Sequence, residues 1–458
     1  MNSLASLSST WRARSANSCQ QNTLSNRFTP EASLDLGGPE WLSQRRLRAI
    51  EALKVVEWPT ADEEIWRYSR VGDLDLAKYR PMSAEELGQP GVDAVPGGGP
   101  VAAELGARSA LIVVRDGRVV HHEIDPALEA RGVVVGDLAM LDADTAAGRV
   151  GLASDASPDA FTLLHDAFLA GGAYIHVPRG VVVEEPIVVI HWCDGDGIAS
   201  FPHTVVVADE SSQVSVLERF GSPNVLHLVD GVVELILGDG ANVRYQSVQE
   251  YGDKTTSIAL QRAHLGRDAV LHSSAVALGG SYARLRSESL LEGIGAESEQ
   301  VAVYYGDNDQ MLDFRTLQDH AAPNTTSNLL FKGAVEDTAR SVYSGLVHIR
   351  PEAQKSRAVQ SNRNLVLTEG AGAESIPNLV IEADDVRCAH ASAVGPIDED
   401  QRYYLATRGV PPEEAERLIV LGFFEDVFER LPVAALVAPL RRSVQDKLGH
   451  LHAGVTRG

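Results

Sequence analysis

The chain has 458 residues, 44% hydrophobic and 22% charged, which is ordinary for a soluble globular protein. Its formal net charge of -23, from 40 Lys+Arg against 63 Asp+Glu, leaves no basic surface for nucleic acid or an anionic membrane, so we expect a protein partner. No apolar run reaches the roughly 18 residues that a membrane-spanning helix needs, and we expect no membrane insertion.

Residues 1–27 differ in composition from the rest of the chain. They contain no Asp or Glu, are rich in serine and carry Arg12, Arg14 and Arg27, as transit peptides do. We favour a disordered tail, because nothing else in the chain indicates an organelle. Three cysteines without a CxxC pair are too few for a disulfide framework, which predicts a reducing, cytoplasmic location and no function for Cys19.

Residues 28–155 mix helical and extended patterns. Apolar residues recur at helix-like spacings from Pro39 to Val56. Further on, Asp116-Gly117 separates two β-branched runs, which is a strong hairpin signal. We predict an N-terminal α+β region.

The sequence pattern of residues 156–396 predicts one helix followed by a β core. Short β-branched runs separated by Gly, Asp and Asn follow one another with almost no helical period. Three similar turns contain Ala241, Ala269 and Ala296, which are 28 and 27 residues apart. This regular spacing favours the coils of a β-helix, with a β-sandwich as the competing fold.

Residues 397–458 predict a C-terminal helical domain. Its second helix carries one apolar stripe, formed by Leu418, Leu421, Phe424, Phe428 and Leu431. Such a stripe usually packs against its own domain, and a docking surface for another protein is the alternative.

The familiar catalytic motifs are missing from the sequence. It contains no GxxxxGK[ST] phosphate loop, no HExxH and no GxSxG elbow. Acidic pairs are abundant in so acidic a chain, so they do not identify a glycosidase dyad, although β-helices do host carbohydrate-active sites.

Among the residues of the chain, Cys388 and His390 form the pair of neighbouring side chains with the widest range of chemistry. Residues two apart on a strand face the same side, so a thiolate and an imidazole could approach one metal ion together. A closed zinc or cluster site normally needs four ligands, and the others would come from distant residues or from a second chain. A buried cysteine beside a hydrogen-bonded histidine is the plainer interpretation.

Several ordered motifs resemble the SufB/SufD family of iron-sulfur cluster assembly proteins. They are Pro377–Ile381, Asp384–His390, Tyr403-Tyr404-Leu405 with Arg408-Gly409, Gly422-Phe423, Asp319–Ser327, Ala167–Gly180 and Glu64–Tyr68. The similarity covers about residues 28–450. Within the family, Cys388-Ala389-His390 is similar to the SufD form, whereas SufB carries a histidine flanked by glutamate.

The resemblance implies a right-handed parallel β-helix core flanked by the N-terminal α+β region and the C-terminal helical domain. It also implies a non-catalytic scaffold that pairs with a SufB-like chain through the last β-helix strands and binds a SufC-like ATPase through its C-terminal helices. His390 and Cys388 would then face the partner and help to hold iron or the nascent cluster, and this chain itself would bind no nucleotide.

Two alternatives remain at this point. The chain could be a SufB-like scaffold that holds a cluster as a homo-oligomer. It could also be an unrelated carbohydrate-active β-helix enzyme, whose acidic site would lie on the side of the solenoid.

Overall fold

The structure is a computed structural model that describes residues 27–83, 86, 106–151, 158–433 and 437–453. The predicted disordered tail therefore lies outside the described residues, apart from Arg27. The described residues are mainly strand, 43% against 22% helix. The expectation of a mainly β protein is confirmed.

The strands form a β-solenoid of about eight turns, built from two sheets. Successive coils contribute alternate strands to each sheet, and neighbouring strands run parallel. The first sheet contains β5 (Ala173–Val177), β7 (Ile198–Ser200), β8 (His203–Ala208), β10 (His227–Leu237), β12 (Thr255–Leu265), β14 (Tyr282–Leu291), β16 (Met311–His320), β18 (Arg340–Ile349) and β20 (Gly372–Ile381). The second contains β6 (Ile187–Trp192), β9 (Gln213–Gly221), β11 (Asn242–Glu250), β13 (Val270–Ala277), β15 (Glu297–Gly306), β17 (Thr326–Val335), β19 (Arg357–Val366) and β21 (Arg387–Gly395).

Strands from the N-terminal region extend both sheets. β2 (Ala110–Arg115) pairs in parallel with β6, and β3 (Arg118–Ile124) closes the predicted hairpin beside it. β4 (Val134–Asp137) lies antiparallel to β5, while β1 (Arg80–Pro81) pairs with β7. The start of the solenoid is thus covered by chain from this region.

The small residues of the turns explain the regular repeat. Ala241, Ala269 and Ala296 are completely buried. Val270 N donates to Ala241 O at 2.8 Å, and Glu297 N donates to Ala269 O at 2.8 Å, so one turn lies directly on the next. The spacing of the alanines in the sequence is the length of one coil, which confirms the β-helix over the β-sandwich.

Short helices pack on the solenoid, and all but Pro126–Glu129 share apolar clusters with the outer face of the first sheet. They are α1 (Pro30–Leu34), α2 (Glu40–Leu53), α3 (Pro126–Glu129), α4 (Ala143–Ala147) and α5 (Ala160–Phe168), with 3-10 turns at Glu64–Trp66, Val71–Asp73, Leu76–Lys78 and Leu138–Met140. The Asp159 side chain caps α5 by accepting from the backbone N–H groups of Phe161 and Thr162. Leu164 and Phe168 of α5 share one apolar cluster with Leu228.

Three helices follow the last strand: α6 (Glu399–Thr407), α7 (Pro412–Phe428) and α8 (Val437–Ala453). α7 and α8 cover the outer face of the second sheet, where Phe424 and Phe428 join Val248, Val276 and Leu330 in one apolar cluster. The buried part of the predicted stripe therefore packs against the protein's own solenoid.

Replacing Phe424 with alanine should lower the free energy of unfolding by about 3–5 kcal/mol. The ring is completely buried between α7 and the second sheet, so its removal leaves a cavity there. Urea unfolding of the variant would measure the loss. Met140→Ala is the control, since that side chain is 84% exposed. A change below about 1 kcal/mol for Phe424→Ala would contradict this packing.

Candidate functional site

The solenoid ends in two unpaired strand edges. β20 and β21 are the last strands of their sheets, and each pairs with only one neighbour, β18 and β19 respectively. Both strands are largely half-buried or exposed, unlike the strands of the preceding coils. In the part of the chain that the structure describes, no element covers this end.

Both predicted ligands face the interior of the solenoid at this open end. In the parallel register, Cys388 lies beside Ala358 and His390 beside Gln360. Ala358 and Gln360 are completely buried, so this face of β19 is the inner one. Cys388 and His390 lie on that same face of the last coil, as their spacing of two predicted. No further coil follows them in the described residues, so the inner face that carries them is open at this end.

The two side chains have different surroundings. Cys388 is half-buried and packs with Leu379 and Val386 against an apolar cluster that includes Ala358. Burial raises the pKa of the Cys388 thiol above its ordinary value. His390 is exposed. The histidine is therefore the more accessible ligand of the pair.

An unpartnered amide lies beneath His390. Neither Nε2 nor Oε1 of the buried Gln360 has a hydrogen-bond partner. The amide reaches toward Gly345 in the opposite sheet, where a Cβ atom would lie 2.3 Å from Gln360 Nε2. A buried amide without partners is costly, and this one leaves a donor and an acceptor free on β19, directly below the coil that carries the two ligands.

In the described part of the chain, Cys388 and His390 belong to no group of three or more possible metal ligands. Among the residues that the structure describes, one group of three or more His, Cys, Asp or Glu side chains has all its ligand atoms within 4.8 Å of one another. That group is Asp116, Cys193 and His227, which does not include Cys388 or His390. Two ligands cannot satisfy an iron ion or a cluster, for which four protein ligands are usual.

The open end also exposes apolar side chains. Ile381 at the end of β20 is 44% exposed and Val394 at the end of β21 is 45% exposed. Exposed strand edges with apolar side chains readily pair with another chain. Sequence reasoning predicted an interface at these strands but named neither of these residues as part of it.

Apart from the open end, exposed side chains also lie on α6, the first C-terminal helix. α6 has no buried residue, and Tyr403 and Tyr404 are 73% and 57% exposed. On α7, Leu418 is 43% exposed, although it belongs to the predicted stripe. From the sequence, the two tyrosines were noted only as part of a motif that resembles the SufB/SufD family. The hydrophobic periodicity of α6 gave no reason to expect their rings to be exposed to solvent. We refer to these three exposed residues, Tyr403, Tyr404 and Leu418, as the helical surface.

No helix in the described part of the chain is long and apolar enough to cross a membrane.

Comparison with known proteins identifies relatives along most of the chain. The family model described as "SUF system FeS cluster assembly, SufBD core domain" matches residues 191–423, just over half of the chain. The chain is 29% identical over 420 residues to the iron-sulfur cluster assembly protein SufD of Bacillus subtilis, covering 90% of this chain and 94% of that protein. It is 33% identical over 315 residues to an iron-sulfur cluster assembly SufBD family protein of Mycobacterium tuberculosis, covering 67% and 77%. A SufBD family protein of Staphylococcus haemolyticus is 25% identical over 408 residues, covering 86% and 87%.

Proposed function

Because this chain belongs to the SufBD family of iron-sulfur cluster assembly proteins, we propose that it is a SufD-like scaffold subunit that pairs with a SufB-like chain through the open end of its solenoid. The observation that carries the proposal is the pair of inward-facing ligands, His390 and Cys388, on a strand with a free edge. The partner's end would pair with β20 and β21 and close the solenoid.

The incomplete ligand set supports a shared site. His390 offers an accessible imidazole and Cys388 a sulfur, and both ligand types suit iron. The remaining ligands would come from the partner, so that the nascent cluster or its iron is held between the subunits. The cluster is the cargo of this reaction, and the chain positions it without chemical catalysis of its own.

The free thiol of Cys388 also indicates the cellular compartment of the complex. A half-exposed thiol that must bind iron has to stay reduced, which fits the reducing cytoplasm. The amide of Gln360, which lies beneath His390, is available to hydrogen-bond to a sulfur atom or a partner group that enters the end of the solenoid.

The helical surface is the proposed contact for a SufC-like ATPase. Exposed tyrosines are frequent anchors in protein interfaces, and α6 contributes nothing to the core that would otherwise explain them. The ATPase would bind the nucleotide, and this chain would transmit the resulting movement to the open end through α7, which packs on the second sheet.

The double variant Tyr403→Ser/Tyr404→Ser should weaken binding of the SufC-like ATPase by about 2 kcal/mol or more, roughly thirty-fold. The fold should persist because both rings are exposed. Titration calorimetry with the purified ATPase from the same genome would measure the affinity. Met140→Ser is the matched control, because its side chain is 84% exposed and lies in the N-terminal region. Equal affinities for the double variant and the control would exclude this surface as the contact.

Deletion of residues 397–458 is a poorer test of the same proposal. It would also remove Phe424 and Phe428 and expose the apolar outer face of the second sheet. Loss of binding would then report unfolding or aggregation as readily as loss of a contact.

A further inference from the structure

A thiol, an imidazole and a carboxylate meet in the core near the start of the solenoid. Cys193 follows β6, His227 opens β10 and Asp116 lies in the turn of the β2–β3 hairpin. Their exposed fractions are 1%, 0% and 5%, and their ligand atoms all lie within 4.8 Å of one another. The three residues are far apart in the sequence, so no spacing motif indicated this group.

Hydrogen bonds fix the orientation of His227. Its Nδ1 lies 2.7 Å from the carbonyl oxygen of Gly195, which can only accept, so Nδ1 carries the proton. Nε2 therefore presents a lone pair to the cluster, where it lies 2.9 Å from Ser200 Oγ and 3.8 Å from Asp116 Oδ1. Metal-ligating histidines are typically oriented by such a bond from the other ring nitrogen.

The carboxylate of Asp116 is buried without a close cation. Arg115 makes its two short hydrogen bonds to Asp194, at 3.0 and 3.1 Å, and approaches Asp116 only to 4.0 Å. The backbone N–H of Asp194 donates to Asp116 Oδ1 at 3.1 Å. One backbone donor leaves much of the buried charge uncompensated, and a bound cation would compensate it.

We propose that Asp116, Cys193 and His227 bind a structural divalent metal ion of the zinc class. Nitrogen, sulfur and oxygen ligands together suit Zn²⁺, and ligand atoms around a tetrahedral zinc lie roughly 3–4 Å apart, close to the separations seen here. Ser200 Oγ lies 3.5 Å from Cys193 Sγ and borders the same space, where it or a water molecule completes four ligands. Binding exchanges the thiol proton, released to solvent, for a metal–sulfur bond.

The proposed ion would hold the N-terminal hairpin to the solenoid. Asp116 belongs to the hairpin, whereas Cys193 directly follows β6 of the second sheet and His227 opens β10 of the first sheet. Because all three side chains are buried, the ion would enter during folding and would not exchange afterwards. This site is separate from the open end and does not depend on the proposed cluster handling.

Metal analysis of the full chain tests the site. The protein would be produced in zinc-supplemented medium and purified without chelators, and elemental analysis should find about one zinc per chain. Cys193→Ser and His227→Gln should each lower that content at least about tenfold. His320→Gln is the control, since His320 is another buried histidine, bonded to Thr325 and Ser327 and outside the group. It should keep the zinc of the parent chain.

A second measurement does not require any variant to fold. The wild-type chain refolded with Co²⁺ in place of zinc should show a thiolate-to-cobalt charge-transfer band and the intense visible absorption of tetrahedral cobalt. A wild-type chain that carries no zinc from supplemented medium and shows no such band would overturn the proposal, and the group would then be a hydrogen-bonded part of the core.

Discussion

His390→Ala is expected to lower the iron and acid-labile sulfide retained by the complex with the SufB-like and SufC-like chains at least about tenfold. His390 is exposed on the inner face of the last strand, so its loss removes a ligand without removing packing. The complex itself should still assemble, because the edges of β20 and β21 are unchanged. Iron and sulfide would be measured on the anaerobically purified complex.

A histidine on the side of the solenoid provides the control. His272 is also partly exposed and bonds to Glu299 on a neighbouring coil. His272→Ala should leave the cluster content at the parent level. Cys388→Ser should have a smaller effect than His390→Ala, because the cysteine is half-buried against Leu379. Normal iron and sulfide in the His390→Ala complex would exclude His390 as a ligand.

The double variant Ile381→Lys/Val394→Lys is expected to abolish pairing with the SufB-like chain. Each side chain is close to half-exposed at the open end, so lysine is tolerated in the free subunit. In the pair, each ammonium group would be buried without a partner, which costs about 3–5 kcal/mol and corresponds to a loss of affinity above roughly a hundred-fold. Analytical ultracentrifugation of the mixed chains would measure it.

Val359→Lys is the matched control for this interface. Val359 is 48% exposed and lies on β19, one coil before the end. It belongs to the outer face of the second sheet, opposite to its buried neighbours Ala358 and Gln360. The two subunits should therefore pair normally when it is replaced. Unimpaired pairing of the double variant would show that the partner contacts another surface.

The architecture could be predicted because it repeats. The alanines at 241, 269 and 296 recur at the length of one coil, and the structure stacks them directly on one another. A β-sandwich also gives short strands, but it has no reason to repeat a small buried residue at this interval. The shared face of Cys388 and His390 followed from strand geometry, whereas its inward direction depends on the register with Ala358 and Gln360.

Contacts between residues far apart in the sequence could not be predicted from hydrophobic periodicity or motif spacing. The group of Asp116, Cys193 and His227 forms only because the hairpin joins the second sheet beside β6. Likewise, the apolar stripe of α7 indicated packing but not which of its residues stay in solvent. Phe424 is completely buried, while Leu418 in the same stripe is 43% exposed.

We propose that this chain holds half of an iron-sulfur site, which a second subunit completes. Iron and acid-labile sulfide should be measured side by side on the chain purified alone and on its complex with the SufB-like and SufC-like chains, both prepared anaerobically. We predict sulfide-bearing iron in the complex and none in the chain alone. Equal iron and sulfide in the isolated chain would contradict the claim and would favour a scaffold that binds its cluster without a partner.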